Sequence, residues 1–317
     1  MTRTALLIDE AYGNHRSAPG HPERPERIRI LLPFADEPDL LRVAPRPASR
    51  DEILAVHRES HWDAVVDSSD RPFTFYDLDT SAGPRSFETA LLATGGVLEI
   101  VDAVADGRAD NGFAAVRPPG HHAESDRVMG FCLFNHIAAA ARHLQREHGA
   151  ARVAVLDFDA HHGNGTQEIF WNDPDVLYVS VHEYPFYPGS GSPAERGGGA
   201  GEGATLNVPL AAGTGDAEML DALRSAALPA VRRFSPDFLL LSAGFDAHRA
   251  DPLANLEMTE GGFGDVGRLV MDAAADICGG RTAAVLEGGY DLPALRGSFR
   301  AFFREMRGAS TREEEVA

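Results

Sequence analysis

The residues of this 317-residue chain most suited to chemistry are two adjacent histidine pairs that follow predicted strands. The first pair occurs in RPPGHHAE (117–124) and the second in DFDAHHGNG (157–165), and a further histidine, His182, ends another apolar run. In the second segment Asp157, Asp159 and His161 alternate along the chain. A strand has a side-chain period of two, so this spacing places the three side chains on one face.

A carboxylate and an imidazole two residues apart can hold one divalent ion. A catalytic zinc site has three nitrogen, oxygen or sulfur ligands from the protein and one open position. Asp159 and His161 supply two such ligands, and Asp246 in LLLSAGFDAHRADP, just past another predicted strand, is the best candidate for the third. An isolated aspartate after a strand is usually a turn residue. The prediction of metal-dependent hydrolysis therefore depends on these residues meeting at one edge of a sheet.

The elements that must bring them together are short apolar runs separated by segments with helical periodicity. The runs predicted as strands are 4–9, 112–118, 151–159, 176–182, 205–210, 237–244 and 282–289. The segments predicted as helices are 86–107, 135–149, 217–234 and 263–278. Nearly continuous apolar runs are typical of strands covered on both faces. The alternation predicts one doubly wound α/β domain with a mainly parallel sheet and helices on both faces. In such sheets, ligands bind beyond the carboxyl ends of the strands.

Two segments lack this periodicity. Residues 183–204 are rich in glycine and proline and predict a long loop, a kind of segment that is usually functional or mobile. Residues 308–317 predict a disordered tail, so the catalytic domain is expected over residues 1–307.

The composition limits the functional class. The chain has 29 basic residues, all of them arginine, against 48 acidic ones, which gives a net charge of −19. This charge argues against direct binding of nucleic acid. No apolar run is long enough to span a membrane, and the N-terminal apolar stretch is too short for a signal peptide. The two cysteines suit a reducing compartment, so we expect a cytoplasmic protein without membrane attachment.

An ordered set of motifs gives the chain a family resemblance. The motifs are GHPERPERI (20–28), RPPGHHAE (117–124), GFCLFNHIAAAA (130–141), DFDAHHGNGTQ (157–167), YVSVH (178–182), SAGFDAHRADPL (242–253) and LEGGYDL (286–292). In this order the chain resembles the zinc-dependent deacetylases of the histone deacetylase and acetylpolyamine amidohydrolase superfamily. It is most similar to class II enzymes and their bacterial amidohydrolase relatives. The resemblance covers nearly the whole chain and implies the arginase-like α/β fold.

The resemblance also implies a role for each polar group. It assigns Asp159, His161 and Asp246 as ligands of one Zn²⁺ per chain, although Fe²⁺ suits the same donors. The remaining catalytic assignments are His121 as a hydrogen-bonding and charged group, His122 as general base and acid, Asp157 and Asn164 as their respective partners, and Tyr290 as the oxyanion donor. Asparagine at position 164 is common in class II relatives, where class I enzymes have aspartate.

The same resemblance implies a narrow tunnel for an extended alkyl chain. It assigns Phe131 and Tyr187 as aromatic walls, the Gly130 carbonyl as an acceptor for the substrate N–H, and Asp77 or Asp79 as a rim carboxylate. It also implies a structural K⁺ held by backbone carbonyls near Asp157, Asp159 and His161 and by the side chain of Ser180. The expected substrate is an acylated, most simply acetylated, lysine in a peptide or protein, and the oligomeric state is left open.

Three alternatives remain to be compared with this prediction. A two-manganese ureohydrolase on the same fold needs aspartates at the positions of Gly163 and His248, so the sequence disfavours it. An acetylpolyamine amidohydrolase shares every catalytic residue. Polyamine-selective eukaryotic relatives have a glutamate where this chain has Leu253, although bacterial polyamine enzymes use other loops. A non-catalytic binding protein on this scaffold typically lacks a zinc ligand or the tyrosine, and this chain has both.

Overall fold

The computed structural model describes residues 2–308, and the predicted tail lies outside the described residues from position 309 onward. The strands are β1 (Thr4–Ile8), β2 (Leu40–Arg42), β3 (Thr74–Phe75), β4 (Ser81–Ala82), β5 (Asn111–Ala115), β6 (Val153–Asp157), β7 (Val176–Glu183), β8 (Thr205–Leu210), β9 (Phe238–Ala243) and β10 (Thr282–Leu286). The helices are α1 (Glu26–Arg29), α2 (Arg50–Ile53), α3 (Glu59–Val66), α4 (Ser86–Ala105), α5 (His136–Glu147), α6 (Asn164–Phe170), α7 (Asp216–Ala222), α8 (Leu228–Phe234), α9 (Glu260–Cys278) and α10 (Leu292–Met306).

Eight strands form one parallel sheet in the order β2-β1-β5-β10-β9-β6-β7-β8. The central strands are buried along their whole length, which explains their nearly continuous apolar sequences. Strands β3 and β4 form a separate antiparallel pair. The predicted α/β fold with a parallel sheet is confirmed.

Two adjacent residues of β5 show that helices cover both faces of this sheet. A Cβ atom placed on Gly112 would lie 2.7 Å from Cγ2 of Ile100 in α4. The next side chain, Phe113, instead packs against Phe299 of α10 with ring centroids 4.9 Å apart. Because successive strand residues face opposite sides of a sheet, α4 and α10 lie on opposite faces. None of the helices within residues 2–308 is long and apolar enough to cross a membrane.

The strand register aligns the carboxyl ends of the central strands. Asp157 at the end of β6 is opposite Ser180 of β7 and Ser242 of β9. The segments that follow β5, β6, β9 and β10 therefore leave the sheet at the same edge, and each contains residues of the predicted site.

All seven predicted strands and all four predicted helices are present, with ends that differ by a few residues. Strand β2, three residues at the sheet edge, was not predicted because it is too short to show a period. The C-terminal helix α10 was also not predicted. The predicted helix 217–234 is interrupted by a π-helical turn, Leu223–Ala227, which ends two residues before Pro229. Proline has no N–H for the helical ladder and its ring crowds the preceding turn, which accounts for the interruption.

The predicted loop after β7 is present and is tied to the domain by hydrogen bonds. The carboxylate of Glu195 accepts the backbone N–H groups of Gly191 and Ser192 and the side-chain amide of Gln167. This network folds the loop over the carboxyl edge of the sheet.

Candidate active site

Asp159, His161 and Asp246 meet at the carboxyl edge of the sheet, with one donor atom from each within 4.8 Å of the others. His161 Nδ1 lies 3.2 Å from Asp159 Oδ1 and 2.9 Å from Asp246 Oδ2. All three side chains are buried or nearly so. The residues come from the segments after β6 and β9, which the register brings together.

The second nitrogen of His161 indicates what this group binds. His161 Nε2 lies 3.0 Å from the carbonyl oxygen of Leu253, which can only accept a hydrogen bond, so Nε2 carries a proton. The lone pair of Nδ1 in a neutral ring would then face two carboxylate oxygens, an unfavourable arrangement unless a cation lies between them. Without a metal that cation is a proton. Burial lowers the pKa of His161, but the carboxylates of Asp159 and Asp246 outweigh burial and raise it well above the ordinary value. One imidazole and two carboxylates with this geometry fit a divalent metal.

Backbone N–H groups orient the two carboxylates. Ala160 N donates to Asp246 Oδ1 at 2.9 Å, and Gly288 N donates to Asp159 Oδ2 at 2.7 Å. A Cβ atom on Gly288 would lie 2.2 Å from Asp246 Oδ2, so only glycine allows this close backbone approach. Gly288 of the EGGYD segment therefore shapes the metal group.

The tandem histidines have different partners. His121 Nδ1 lies 3.1 Å from Asp157 Oδ2, and His122 Nδ1 lies 2.8 Å from Asn164 Oδ1. Burial lowers the pKa of His121, but nearby carboxylates, Asp157 foremost, outweigh burial and raise that pKa to about 10. Burial and the neighbouring His121 and His161 lower the pKa of His122 well below its ordinary value. The pair thus combines one charged and one neutral imidazole, a separation typical of distinct acid–base roles.

Glu287, in the segment after β10, holds the backbone of this histidine pair. Its Oε2 accepts the N–H of Gly120 at 2.7 Å and the N–H of His121 at 3.1 Å. Burial raises the pKa of this carboxyl group to about 7. The sequence interpretation assigned no role to Glu287, although the residue lies within the LEGGYDL motif.

Tyr290 is positioned by two residues that were also not predicted. Arg27 donates from Nε to the carbonyl of Gly289 at 2.6 Å, and its guanidinium lies 4.9 Å from the Tyr290 ring centroid. Asp251 Oδ2 accepts the N–H of Tyr290 at 2.6 Å. Burial raises the pKa of the Tyr290 hydroxyl well above its ordinary value, so the hydroxyl is a hydrogen-bond donor at neutral pH. Arg27 belongs to the GHPERPERI motif, which was the available sequence signal.

A cavity of about 210 Å³ opens onto these groups. Its lining residues are Asp79, His122, Gly130, Phe131, His161, Phe186, Tyr187, Leu253 and Tyr290. The rings of Phe131 and Tyr290 are perpendicular with centroids 5.7 Å apart, and Tyr187 stands perpendicular to His122 at 5.3 Å. Phe186, which was not predicted, stacks on His161 with centroids 5.5 Å apart.

Of the two predicted rim carboxylates, Asp79 lines the cavity and Asp77 does not belong to the lining. Asp77 Oδ1 instead accepts the N–H groups of Asp79 and Thr80 at 3.1 and 2.6 Å. Asp77 therefore caps the turn between β3 and β4, while Thr80 Oγ1 accepts the N–H of Phe131 and connects this turn to the cavity wall.

Ser180 is buried in β7 and does not line the cavity. It is opposite Asp157 in the sheet register, and its Oγ lies 2.8 Å from His182 Nδ1. Its assignment to a K⁺ site stays a prediction.

Comparisons with known proteins agree with this geometry. Residues 21–306 match the family described as histone deacetylase domain. A probable deacetylase of Archaeoglobus fulgidus is 39% identical over 91% of this chain and 82% of its own length. A histone deacetylase-like amidohydrolase of Pseudomonas aeruginosa is 41% identical over 91% of this chain and 82% of its own. The crystal structure of the HDA15 HD domain is similar with a TM-score of 0.91 at 39% identity, covering 97% of this chain and 90% of that one. The chain belongs to the histone deacetylase family and is a hydrolytic deacetylase.

Proposed function

We propose that the protein is a zinc-dependent deacetylase that removes an acetyl group from the ε-amine of lysine in peptides or proteins. The observation that supports this most directly is the composition of the cavity. His122, Tyr290 and His161 of the proposed metal group line one cavity together with the aromatic rings of Phe131 and Tyr187. A lysine side chain is long and unbranched, so its methylene groups can pass between Phe131 and Tyr187 and bring the amide to the buried polar groups.

Asp159, His161 and Asp246 would hold the metal in this proposal. When bound, a zinc ion polarises the substrate carbonyl and lowers the pKa of the attacking water. Zinc is favoured because its ligands are nitrogen and oxygen donors of this type, and ferrous iron is the alternative.

The residues of the chain supply proton transfer and charge stabilisation. Asn164 Oδ1 accepts from Nδ1–H of His122, so Nε2 of His122 has a free lone pair and takes a proton from the attacking water. Tyr290 donates to the oxygen on which negative charge develops. The C–N bond then breaks, and His122 returns the proton to the leaving amine. The products are acetate and a free amine.

The position of Asp79 and the charge of the chain favour a cationic substrate. Asp79 lies at the cavity, where its carboxylate can accept the backbone N–H groups of a bound peptide. The net charge of −19 attracts positively charged molecules at long range, and this attraction weakens as salt is added. Acetylated polyamines are also positively charged, so polyamine deacetylation is the second candidate function.

The test is a panel of acetyl-lysine peptides, acetylputrescine and acetylspermidine, assayed with the zinc-loaded enzyme. We expect higher kcat/KM for the peptides. A preference of about tenfold or more for a polyamine would replace lysine by polyamine as the substrate. Asp246→Asn should abolish turnover of every substrate, because it removes a metal ligand. Turnover that persisted in this variant would contradict the metal-dependent mechanism.

The two-manganese ureohydrolase is disfavoured by packing. A Cβ atom on Gly163 would lie 2.3 Å from Asp157 Oδ2 and 2.6 Å from the Tyr178 hydroxyl, so an aspartate at position 163 has no space. Release of urea from arginine by the manganese-loaded protein would contradict this argument. The cytoplasmic location and the structural K⁺ remain predictions.

A further inference from the structure

A second group of metal-ligand side chains lies away from the active site. Asp102 Oδ1 is approached by His143 Nε2 at 2.7 Å and by His148 Nε2 at 2.6 Å. These three residues are called the Asp102 cluster here, and one ligand atom from each lies within 4.8 Å of the others. Asp102 belongs to α4, His143 belongs to α5, and His148 caps the C-terminal end of α5.

The Asp102 cluster is at the edge of the sheet opposite the active site. Helix α4 ends at Ala105 and leads into β5, which starts at Asn111. Helix α5 ends at Glu147 and leads into β6, which starts at Val153. The cluster therefore precedes the strands whose far ends supply His121 and Asp159, and its side chains cannot belong to the catalytic group.

The donor geometry resembles that of the catalytic group. In both groups, imidazole nitrogens lie 2.6–3.2 Å from the carboxylate oxygens to which they point. Two imidazoles and one carboxylate form a three-ligand set that zinc accepts with one position left open. The three side chains of the Asp102 cluster are 10–22% exposed, so an ion can enter from solvent and water can occupy the fourth position.

A nearby carboxylate suits the tautomer that a metal requires. Ligation through Nε2 moves the imidazole proton to Nδ1, and Nδ1 of His148 lies 3.9 Å from Asp106 Oδ1. This is an ion-pair distance and not a hydrogen bond. The negative charge of Asp106 therefore favours a proton on Nδ1 of His148, without Asp106 being a ligand itself.

We propose that Asp102, His143 and His148 bind a second divalent transition metal, with Zn²⁺ as the probe of choice, that links α4 to the end of α5. Other borderline ions such as Co²⁺ and Ni²⁺ suit the same donors. The metal replaces hydrogen bonds between two helices by coordinate bonds, so its effect is on the stability of the domain and not on the deacetylation step.

The experiment strips the full chain with chelator, reloads it with zinc, removes the excess by gel filtration and counts the zinc that stays bound. We expect two equivalents in the wild type and one in His143→Gln/His148→Gln. The control Arg146→Gln changes an exposed residue of the same helix and should keep two. Asp246→Asn, which lacks a catalytic ligand, should keep the ion of the Asp102 cluster, and adding zinc should raise its Tm. Combining Asp246→Asn with the two histidine changes should remove that rise.

The histidine double variant should retain wild-type deacetylase activity when loaded with one equivalent of zinc, which also shows that it is folded. A wild type that binds one equivalent, or a double variant that still binds two, would overturn the second site. Neither result bears on the proposed deacetylase mechanism. The zinc bound by Asp246→Asn reports the Asp102 cluster, and counting it requires no activity measurement.

Discussion

His122 Nδ1 lies 2.8 Å from Asn164 Oδ1, so the proposed general base is paired with an uncharged acceptor. The orientation of the Asn164 amide is fixed on its other side, because Nδ2 donates to Glu124 Oε1 at 2.7 Å. An amide orients the imidazole without stabilising its protonated form by a full charge. The Asn164 acceptor by itself favours the protonated ring, but burial and the neighbouring His121 and His161 outweigh it and lower the pKa of His122.

Replacing this amide by a carboxylate should raise the pKa of His122. Asn164→Asp alone would place its new carboxylate beside Glu124, so we combine it with Glu124→Gln, which restores a donor to that oxygen. An opposite charge at this distance raises an imidazole pKa by about one unit or more. The acidic limb of the kcat/KM profile should therefore move to higher pH by about that amount, measured at constant ionic strength.

Glu124→Gln alone is the matched control, and its acidic limb should stay at the wild-type position. An unmoved limb in the double variant would mean that deprotonation of His122 does not limit the reaction.

Removing the Tyr290 hydroxyl should slow catalysis without releasing the metal. Tyr290→Phe keeps the ring that packs against Phe131 and Arg27 but loses the proposed oxyanion donor. We expect kcat to fall about 10²–10³-fold, as for other oxyanion donors. Tyr76→Phe removes a hydroxyl that donates to the Ala64 carbonyl outside the cavity, and its kcat should be unchanged. Equal kcat values for Tyr290→Phe and the wild type would exclude the proposed role.

The placement of the metal group could be predicted from sequence because it depends on strand ends. Asp159, His161 and Asp246 follow buried strands, and parallel strands bring their carboxyl ends to one edge. Arg27 and Glu287 could not be assigned in this way. Both act through backbone atoms of segments distant in the chain, Arg27 on Gly289 and Glu287 on Gly120, and such contacts leave no spacing pattern.

The carboxylate at the cavity rim could not be identified from the sequence either. Asp77 and Asp79 are two positions apart in one turn, and the sequence does not distinguish the residue that faces the cavity. The difference arises because Asp77 accepts the N–H groups of its own turn, which leaves Asp79 for the cavity. Phe186 was missed for a related reason, since the path of a glycine-rich loop depends on contacts such as those of Glu195.

A methyl group at position 288 should weaken catalytic metal binding. In Gly288→Ala the added Cβ would lie 2.2 Å from Asp246 Oδ2 and 2.7 Å from Asp159 Oδ2, so both carboxylates must move. Changes beside metal ligands typically cost about 10–100-fold in metal affinity. The measurement is the free zinc concentration that restores half of the activity after chelator treatment, which reports the catalytic metal alone.

Gly261→Ala provides the matched control for this change. Gly261 lies in the first turn of α9, and its added Cβ would meet nothing closer than Thr259 Oγ1 at 3.5 Å. Its zinc requirement should equal that of the wild type. An equal requirement in Gly288→Ala would show that the carboxylates tolerate displacement.

His136, at the start of α5, should make the domain less stable in acid. The ring is fully buried, with Nε2 3.0 Å from the Pro118 carbonyl and Nδ1 2.8 Å from Thr94 Oγ1. A carbonyl only accepts, so Nε2 carries the proton of a neutral ring and Thr94 donates to Nδ1. Burial lowers the pKa of His136 to about 4, below the 6.5 of an exposed imidazole.

The sign of the effect follows from this lowered pKa. Between about pH 6.5 and pH 4 the unfolded chain binds a proton at His136 and the folded chain does not, so the free energy of unfolding falls as the pH falls. The contribution of this single group is about 3 kcal/mol over that interval.

In His136→Gln the amide can still donate to the Pro118 carbonyl but does not titrate. Urea unfolding at pH 7 and pH 4, with chelator present to remove metal effects, should therefore show a smaller pH dependence in the variant by about that amount. All other titrating groups are the same in the two proteins, so their contributions cancel when the two free energies of unfolding are subtracted. If the value obtained by that subtraction is the same at pH 7 and pH 4, His136 does not limit acid stability.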